Sequence, residues 1–244
     1  MAKNLLFWVP PAVIAGIFAL LVFNMNIWEA ALGALFPGQE QVVYPRADLA
    51  ELCGQHLFLV GVSGIAAVSI GVPLGIFVTR ERGSGFKSIV SDLGSLSQTV
   101  PPVAVLALAV PAIGFGFEPT VLALFLYSLL PILRNTVAGL DGVSPAIKEA
   151  ARGMGMTRRQ VLLKVEIPIA SRVIFAGIRI SLVMNVGTAA VGATVGAGGL
   201  GNPIVSGLIR DNPAFVLEGG ITAALLALLI DLIVGRVEKS LSPA

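Results

Sequence analysis

Apolar residues in this chain come in long uncharged blocks. Residues 5–23 lie between Lys3 and Asn24, 57–78 between His56 and Thr79, and 93–117 between Asp92 and Glu118, all without a charge. Three further runs cover about 119–133, 173–195 with Arg179 in its first two turns, and 215–235 with Glu218 and Asp231 inside. A bilayer core of about 30 Å needs about 20 mostly apolar residues as helix, so these blocks predict six membrane-crossing helices. Trp8 and Trp28 flank the first run as interfacial anchors would. No small-residue cleavage pattern follows it closely, so it reads as a helix rather than a signal peptide.

The composition agrees. Apolar residues make up 56% of the 244, charged residues 12%, and the mean hydropathy is +0.91. That is about half the charge of a water-soluble domain, which excludes a soluble globular protein, a disordered chain and a basic nucleic-acid-binding domain. The fold class expected is an all-α, polytopic membrane helix bundle. The net charge of +2 identifies no partner. The lone Cys53 cannot form an internal disulfide, and the lone His56 cannot supply a His cluster, so no metal site is expected.

Charge placement sets the orientation. With the N-terminus inside, thirteen of the sixteen Lys and Arg residues fall in inside loops; Arg46 and Arg210 fall outside and Arg179 within a helix. The positive-inside rule then puts both termini in the cytoplasm, with 24–54 as the only sizeable outside loop. Residues 1–54 form a first unit of helix plus extracytoplasmic loop, and 55–238 the main membrane domain, interrupted by the cytoplasmic segment 141–170.

That segment predicts two short helices. Ser144 is placed to cap the first, and Pro145 stands at its first position. Ile147, Ala150, Ala151 and Met154 form one apolar stripe before Gly155 ends the helix. Thr157 and Gln160 have capping-box spacing for the second helix, with Met156 and Val161 as its hydrophobic staple and Pro168 as its stop. Two short helices beside Arg158-Arg159 also suggest a helix-turn-helix, but both flanks are membrane helices, so nucleic acid is not an expected partner. A loop folded on the membrane surface is one reading; a rigid knob for docking a soluble partner is the better one.

The spacing carries a resemblance. Glu149-Ala150-Ala151, three residues, Gly155, nine residues, Val165, one residue, Ile167-Pro168 resembles the EAA loop of ABC-importer permeases; Val165 stands for the pattern's Ile and Ile167 for its Leu. The resemblance implies a type I ABC-importer permease fold whose first short helix is a coupling helix docked on a cytoplasmic ATPase. It implies that Glu149, Ala150, Ala151, Gly155 and Pro168 belong to that coupling element, with Glu149 fixing the docked loop and Gly155 making its turn. It further implies cytoplasmic ABC ATPase subunits, a second permease subunit, identical or homologous, and an extracytoplasmic substrate-binding protein as partners in a bacterial inner membrane.

Two more stretches, Gln98-Thr99-Val100-Pro101-Pro102-Val103-Ala104-Val105-Leu106-Ala107 and the run Gly192 to Gly201 followed by Asn202-Pro203, look like permeases of osmoprotectant importers for glycine betaine, choline or carnitine. Gly196, Gly198 and Gly201 also match a dinucleotide fingerprint, but a membrane helix precedes them where a strand is required. Pro101 and Pro102 must interrupt a helix ladder, either as a packing kink or, with Gln98 and Thr99, as part of the translocation path. Asp231, inside the last run, is the further path candidate, whereas Asp92, Glu118 and Glu218 are expected near the interfaces. Gly71 and Gly75 form a small-xxx-small pair for close helix packing.

No lysine follows a glycine, so the chain has no Walker A phosphate loop. It is therefore expected not to be an enzyme and to need no cofactor, with ATP hydrolysed by another polypeptide. An importer of another small polar solute, such as an amino acid, and an ion-driven secondary transporter are the alternatives. An intramembrane enzyme would need a converging His or carboxylate pair, and none is spaced for it.

Overall fold

The computed structural model describes residues 2–96 and 100–241, and among these the regular elements are all helices. In chain order they are α1 (Ala2–Phe23), α2 (Met25–Leu35), α3 (Leu49–Val78), α4 (Lys87–Leu96), α5 (Pro102–Ile113), α6 (Phe117–Asp141), α7 (Pro145–Gly153), α8 (Arg158–Val161), α9 (Ile167–Ala189), α10 (Gly201–Arg210) and α11 (Pro213–Leu241). Among the described residues four continuous helical stretches are long and apolar enough to cross a membrane, and α1 with α2, bent by 81° at their junction, adds a fifth if the two are one broken span. The sixth expected crossing, 93–117, is divided between α4 and α5.

That division corrects the expectation of one kinked helix. A residue before proline is pushed toward extended backbone, and two prolines in a row do this twice. Pro101 accordingly has φ −63° and ψ 142°, and Pro102 occupies the first turn of α5, where the N–H it lacks is not needed. The other end of α5 closes on Gly114 at φ +89°, and α6 then begins at Phe117.

Pro168 corrects the picture in the opposite sense. It stops nothing: a π-helical stretch, Leu162–Glu166, joins α8 to α9, and Pro168 lies in the first turn of α9. The wider π turn has already shifted the hydrogen-bond ladder, so the missing proline N–H breaks no regular bond. The segment from Arg158 to Val195 therefore runs as one continuous 38-residue helical stretch out of the 141–157 loop.

Helices α3, α6 and α9 form the core. Gly71 packs on Leu129 and Ile132, and a Cβ on Gly75 would lie 2.7 Å from Thr136, so these glycines let α3 approach α6 closely. Two hydrogen bonds cross the apolar interior: Asn185 Nδ2 donates to Ser63 Oγ at 3.1 Å, and Ser181 Oγ to the Ser128 carbonyl at 3.0 Å.

The N-terminal unit packs against α11. Pro11 cannot donate to the Phe7 carbonyl four residues back, and Arg236 Nε donates to that carbonyl while its guanidinium lies 4.6 Å over the Phe7 ring. Trp8 is exposed, but Trp28 is buried, its indole N–H donating to the Leu21 carbonyl at 3.0 Å across the bend; it braces the α1–α2 corner instead of anchoring an interface. Residues 36–48 then strap the α10–α11 turn. Asn212 Nδ2 donates to the Gln41 carbonyl at 2.7 Å, Tyr44 N–H donates to Glu218 Oε2 at 2.8 Å, and the Tyr44 ring meets Phe215 edge-on. Glu218 is thus fully buried under the strap, while Glu118 is exposed.

Candidate functional site

The knob formed by residues 141–166 is built locally and closely as its spacing predicts. Pro145 begins α7, with Ser144 at the N-cap position; its hydroxyl makes no capping bond, and its carbonyl receives the first helical N–H groups. The helix ends in a Schellman motif: Met156 N–H donates to the Ala151 carbonyl at 3.2 Å and Gly155 N–H to the Arg152 carbonyl at 2.9 Å, with Gly155 at φ +84°. A Cβ on Gly155 would touch nothing within 4 Å, so glycine is required there by backbone conformation and not by space. The capping box closes as well, with Gln160 N–H donating to Thr157 Oγ1 at 3.3 Å and Thr157 N–H to Gln160 Oε1 at 2.8 Å.

On α7 the apolar stripe divides. Ala151 is buried, whereas Ile147 is 44% exposed and Met154 73%, with Glu149 and Ala150 exposed beside them. A nine-residue helix is too short to persist alone, so an apolar ridge held out from a rigid base has the form of a docking element.

Ion pairs hold that base, and sequence spacing did not reveal them. Glu166, buried in the π segment, accepts from Arg80 Nη2 at 2.5 Å, and Glu81 pairs with Arg158 at 2.8 Å. Lys87 reaches Asp141 at 2.6 Å. Two start from the turn after α3 and the third from the first residue of α4, and all three reach the 141–166 segment. The one available signal was the acidic residue, Glu166, amid the apolar residues leading into α9.

The path candidates lie elsewhere. Pro101 is exposed and Pro102 half-buried at the α4–α5 division, where the Val100 carbonyl accepts the Tyr127 hydroxyl. Gln98 and Thr99 lie outside the described residues. Asp231 sits on α11 and is bound by Arg179 of α9, with Nε–Oδ1 and Nη2–Oδ2 both 2.6 Å.

The glycine run is pinned by two side chains that spacing did not reveal. Gln55 Oε1 accepts from Gly199 N–H at 2.9 Å, and His56 Nδ1 from Leu200 N–H at 3.3 Å, while His56 Nε2 lies 2.9 Å from the Val186 carbonyl. With Nδ1 accepting, Nε2 carries the proton and donates to Val186, so the imidazole bridges three segments of the fold. Gly196, Gly198 and Gly199 all have φ near +80°, a turn that only glycines make without strain. Among the described residues no group of three or more His, Cys, Asp or Glu could hold a metal ion.

A bundle of membrane-length apolar helices that holds out a short helix with an exposed apolar ridge defines a polytopic membrane protein, and comparison with known proteins supplies the family. Residues 71–243 match the family described as binding-protein-dependent transport system inner membrane component, and the chain belongs to it. It is 41% identical over 228 residues, 93% of each chain, to the "Osmoprotectant import permease protein OsmY" of Salmonella typhimurium. It is 45% identical over 189 residues, 76% of this chain and 81% of the relative, to the "Glycine betaine/carnitine/choline transport system permease protein OpuCD" of Bacillus subtilis. Among solved structures, an inward-facing MetNI methionine ABC transporter matches with TM-score 0.68 and 26% identity over 78% of this chain and 94% of that one.

Proposed function

We propose that this chain is the permease subunit of an ATP-driven importer that carries an osmoprotectant, a glycine betaine-like quaternary ammonium compound, across the bacterial inner membrane. The observation that carries the proposal is the exposed Ile147–Met154 ridge on a helix closed by the Gly155 Schellman motif, in a chain whose relatives bear osmoprotectant, carnitine and choline permease names. Glu149, Ala150, Ala151 and Gly155 form the coupling element, and Pro168 starts the helix that carries its displacement into the membrane. The ATPase is a separate polypeptide docked on that ridge, a second permease subunit completes the translocation path, and an extracytoplasmic binding protein delivers the solute.

Both termini face the cytoplasm in this reading, residues 1–54 are a peripheral helix and strap, and 55–238 are the permease domain proper. Gln98, Thr99, Pro101 and Pro102 line the path, because a helix interrupted within the bilayer is stable only where protein or a watery cavity meets its free backbone groups. Asp231 contributes through Arg179. Transport proceeds by alternating access: ATP closes the paired ATPase subunits, the coupling helices move together, the bundle opens outward to receive solute, and hydrolysis resets it.

The test is co-purification of the chain with its ATPase, followed by radiolabelled glycine betaine uptake into liposomes with and without the binding protein. ATP-dependent uptake that requires the binding protein supports the reading. An assembled transporter that ignores betaine and takes up methionine would replace the substrate and keep the machine, an arm suggested by the MetNI likeness.

A further inference from the structure

Behind the coupling ridge lies a cleft of about 350 Å³, enclosed by the end of α3, the end of α6, α7 and the α8–π segment. Thr79, Leu140, Val161 and Leu162 form part of its wall, together with five cations, Arg80, Lys148, Arg152, Arg158 and Arg159, and three carboxylates, Glu81, Asp141 and Glu166. Every carboxylate is already neutralised: Glu166 by Arg80, Glu81 by Arg158, and Asp141 by Lys87, which is not part of the lining. Lys148, Arg152 and Arg159 remain, and among the described residues none of the three has an acidic partner. Lys148 spends one donor on the Leu140 carbonyl at 3.2 Å.

Three positive charges around one small cleft repel one another unless an anion joins them. We propose that this cleft binds a phosphate-bearing anion. Two guanidinium groups and an ammonium supply the charge and the kinds of donor that a phosphate group's oxygens take up, and arginine is suited to bind it by two bonds at once. The carboxylate of a docked protein is the competing occupant, but Lys148 and Arg152 line the cleft from a different side of α7 than Ile147, Ala150 and Met154, which take no part in its lining. The ridge faces a partner, and the cleft lies between the ridge and the bundle. Since α3 ends at Val78, one residue before the lining begins, a phospholipid headgroup and a soluble phosphate compound are both sources of the group.

The experiment uses the whole chain alone, so it is independent of ATPase docking and of the transported solute. Its melting temperature is measured in nonionic detergent with inorganic phosphate against chloride at equal ionic strength, and in nanodiscs of phosphatidylcholine with and without phosphatidylglycerol. Expected is a rise in Tm of several degrees with phosphate, with phosphatidylglycerol, or with both. In the Arg152→Gln/Arg159→Gln variant the apparent affinity falls about tenfold or more, while Lys164→Gln/Arg172→Gln, outside the cleft, responds as the parent does. A response to phosphatidylglycerol alone makes the headgroup the source, and a response to phosphate alone makes it a soluble compound. Should the double variant fail to fold, Lys148→Gln carries the same comparison. No response to either probe, or an equal response in the cleft variant, overturns the proposal.

Discussion

Arg179 on α9 and Asp231 on α11 meet fork to fork, with both N–O distances 2.6 Å. The next turn of α11 makes room for them: a Cβ on Gly235 would stand 3.0 Å from Arg179 Nη1, so the guanidinium lies flat against a helix with no side chain beneath it. Glu238 adds a looser contact at 3.8 Å. The cation inside one apolar run and the second of the two acids inside another therefore answer each other, and the pair couples α11 to the helix that rises from the 141–166 knob.

Removing one partner strands the other charge. Fully buried pairs cost about 3–5 kcal/mol to break, but these side chains are 35% and 32% exposed, and solvent screening brings the expectation to about 1–2 kcal/mol. Arg179→Leu or Asp231→Leu alone lowers the melting temperature in detergent, and the double variant recovers most of the loss. A double variant as unstable as the sum of the singles would show that the pair contributes no coupling energy.

Gly155 gives a test in which conformation and space point to different outcomes. The position is open, yet its φ of +84° is one that residues with a Cβ adopt at a cost of about 1–2 kcal/mol. Gly155→Ala and Gly155→Val are expected to loosen the end of α7 and weaken ATPase co-purification, while Gly155→Asn, tolerant of left-handed backbone, retains most of it. Equal loss in all three variants would contradict the conformational explanation.

Local features of the fold were legible because their causes are local. The Thr157–Gln160 capping box, the Pro145 start and the Gly155 stop each depend on residues within a turn of one another, and each forms. The two proline expectations failed for a reason of the same scale: residue type announces a missing N–H, but the neighbouring backbone decides whether that N–H was needed. Pro102 found a helix start and Pro168 a π turn. Pairings through space left little trace in the pattern. Arg80 and Glu166 are 86 residues apart, and His56 and Leu200 are 144 apart, so neither pairing follows from periodicity.

His56 deserves a test for that reason. It is fully buried, and His56→Leu would leave the Leu200 N–H without its acceptor, a cost of about 1–3 kcal/mol. Gln55→Ala is expected to cost less, because Gln55 is only half-buried and water can replace it at the Gly199 N–H. Hydrogen exchange separates the two variants: His56→Leu should speed exchange at Leu200 and along the 196–201 run and leave α6 protected. Loss of protection throughout the bundle would make His56 a core residue and not a local latch.

The exposed Ile147–Met154 ridge separates folding from assembly most cleanly. Ile147 and Met154 are exposed, so Ile147→Ser and Met154→Ser should change the stability of the isolated chain by no more than about 0.5 kcal/mol. Apolar anchors of this kind carry a large share of an interface's energy, and losing one weakens binding by about tenfold or more. Both variants are therefore expected to melt like the parent, reach the membrane in normal amount and lose the ATPase on purification. Ala151→Leu makes the opposite prediction: Ala151 is buried, and the larger side chain should lower the melting temperature first. If Met154→Ser keeps the ATPase while Ala151→Leu folds normally, the partner engages some other face of the knob.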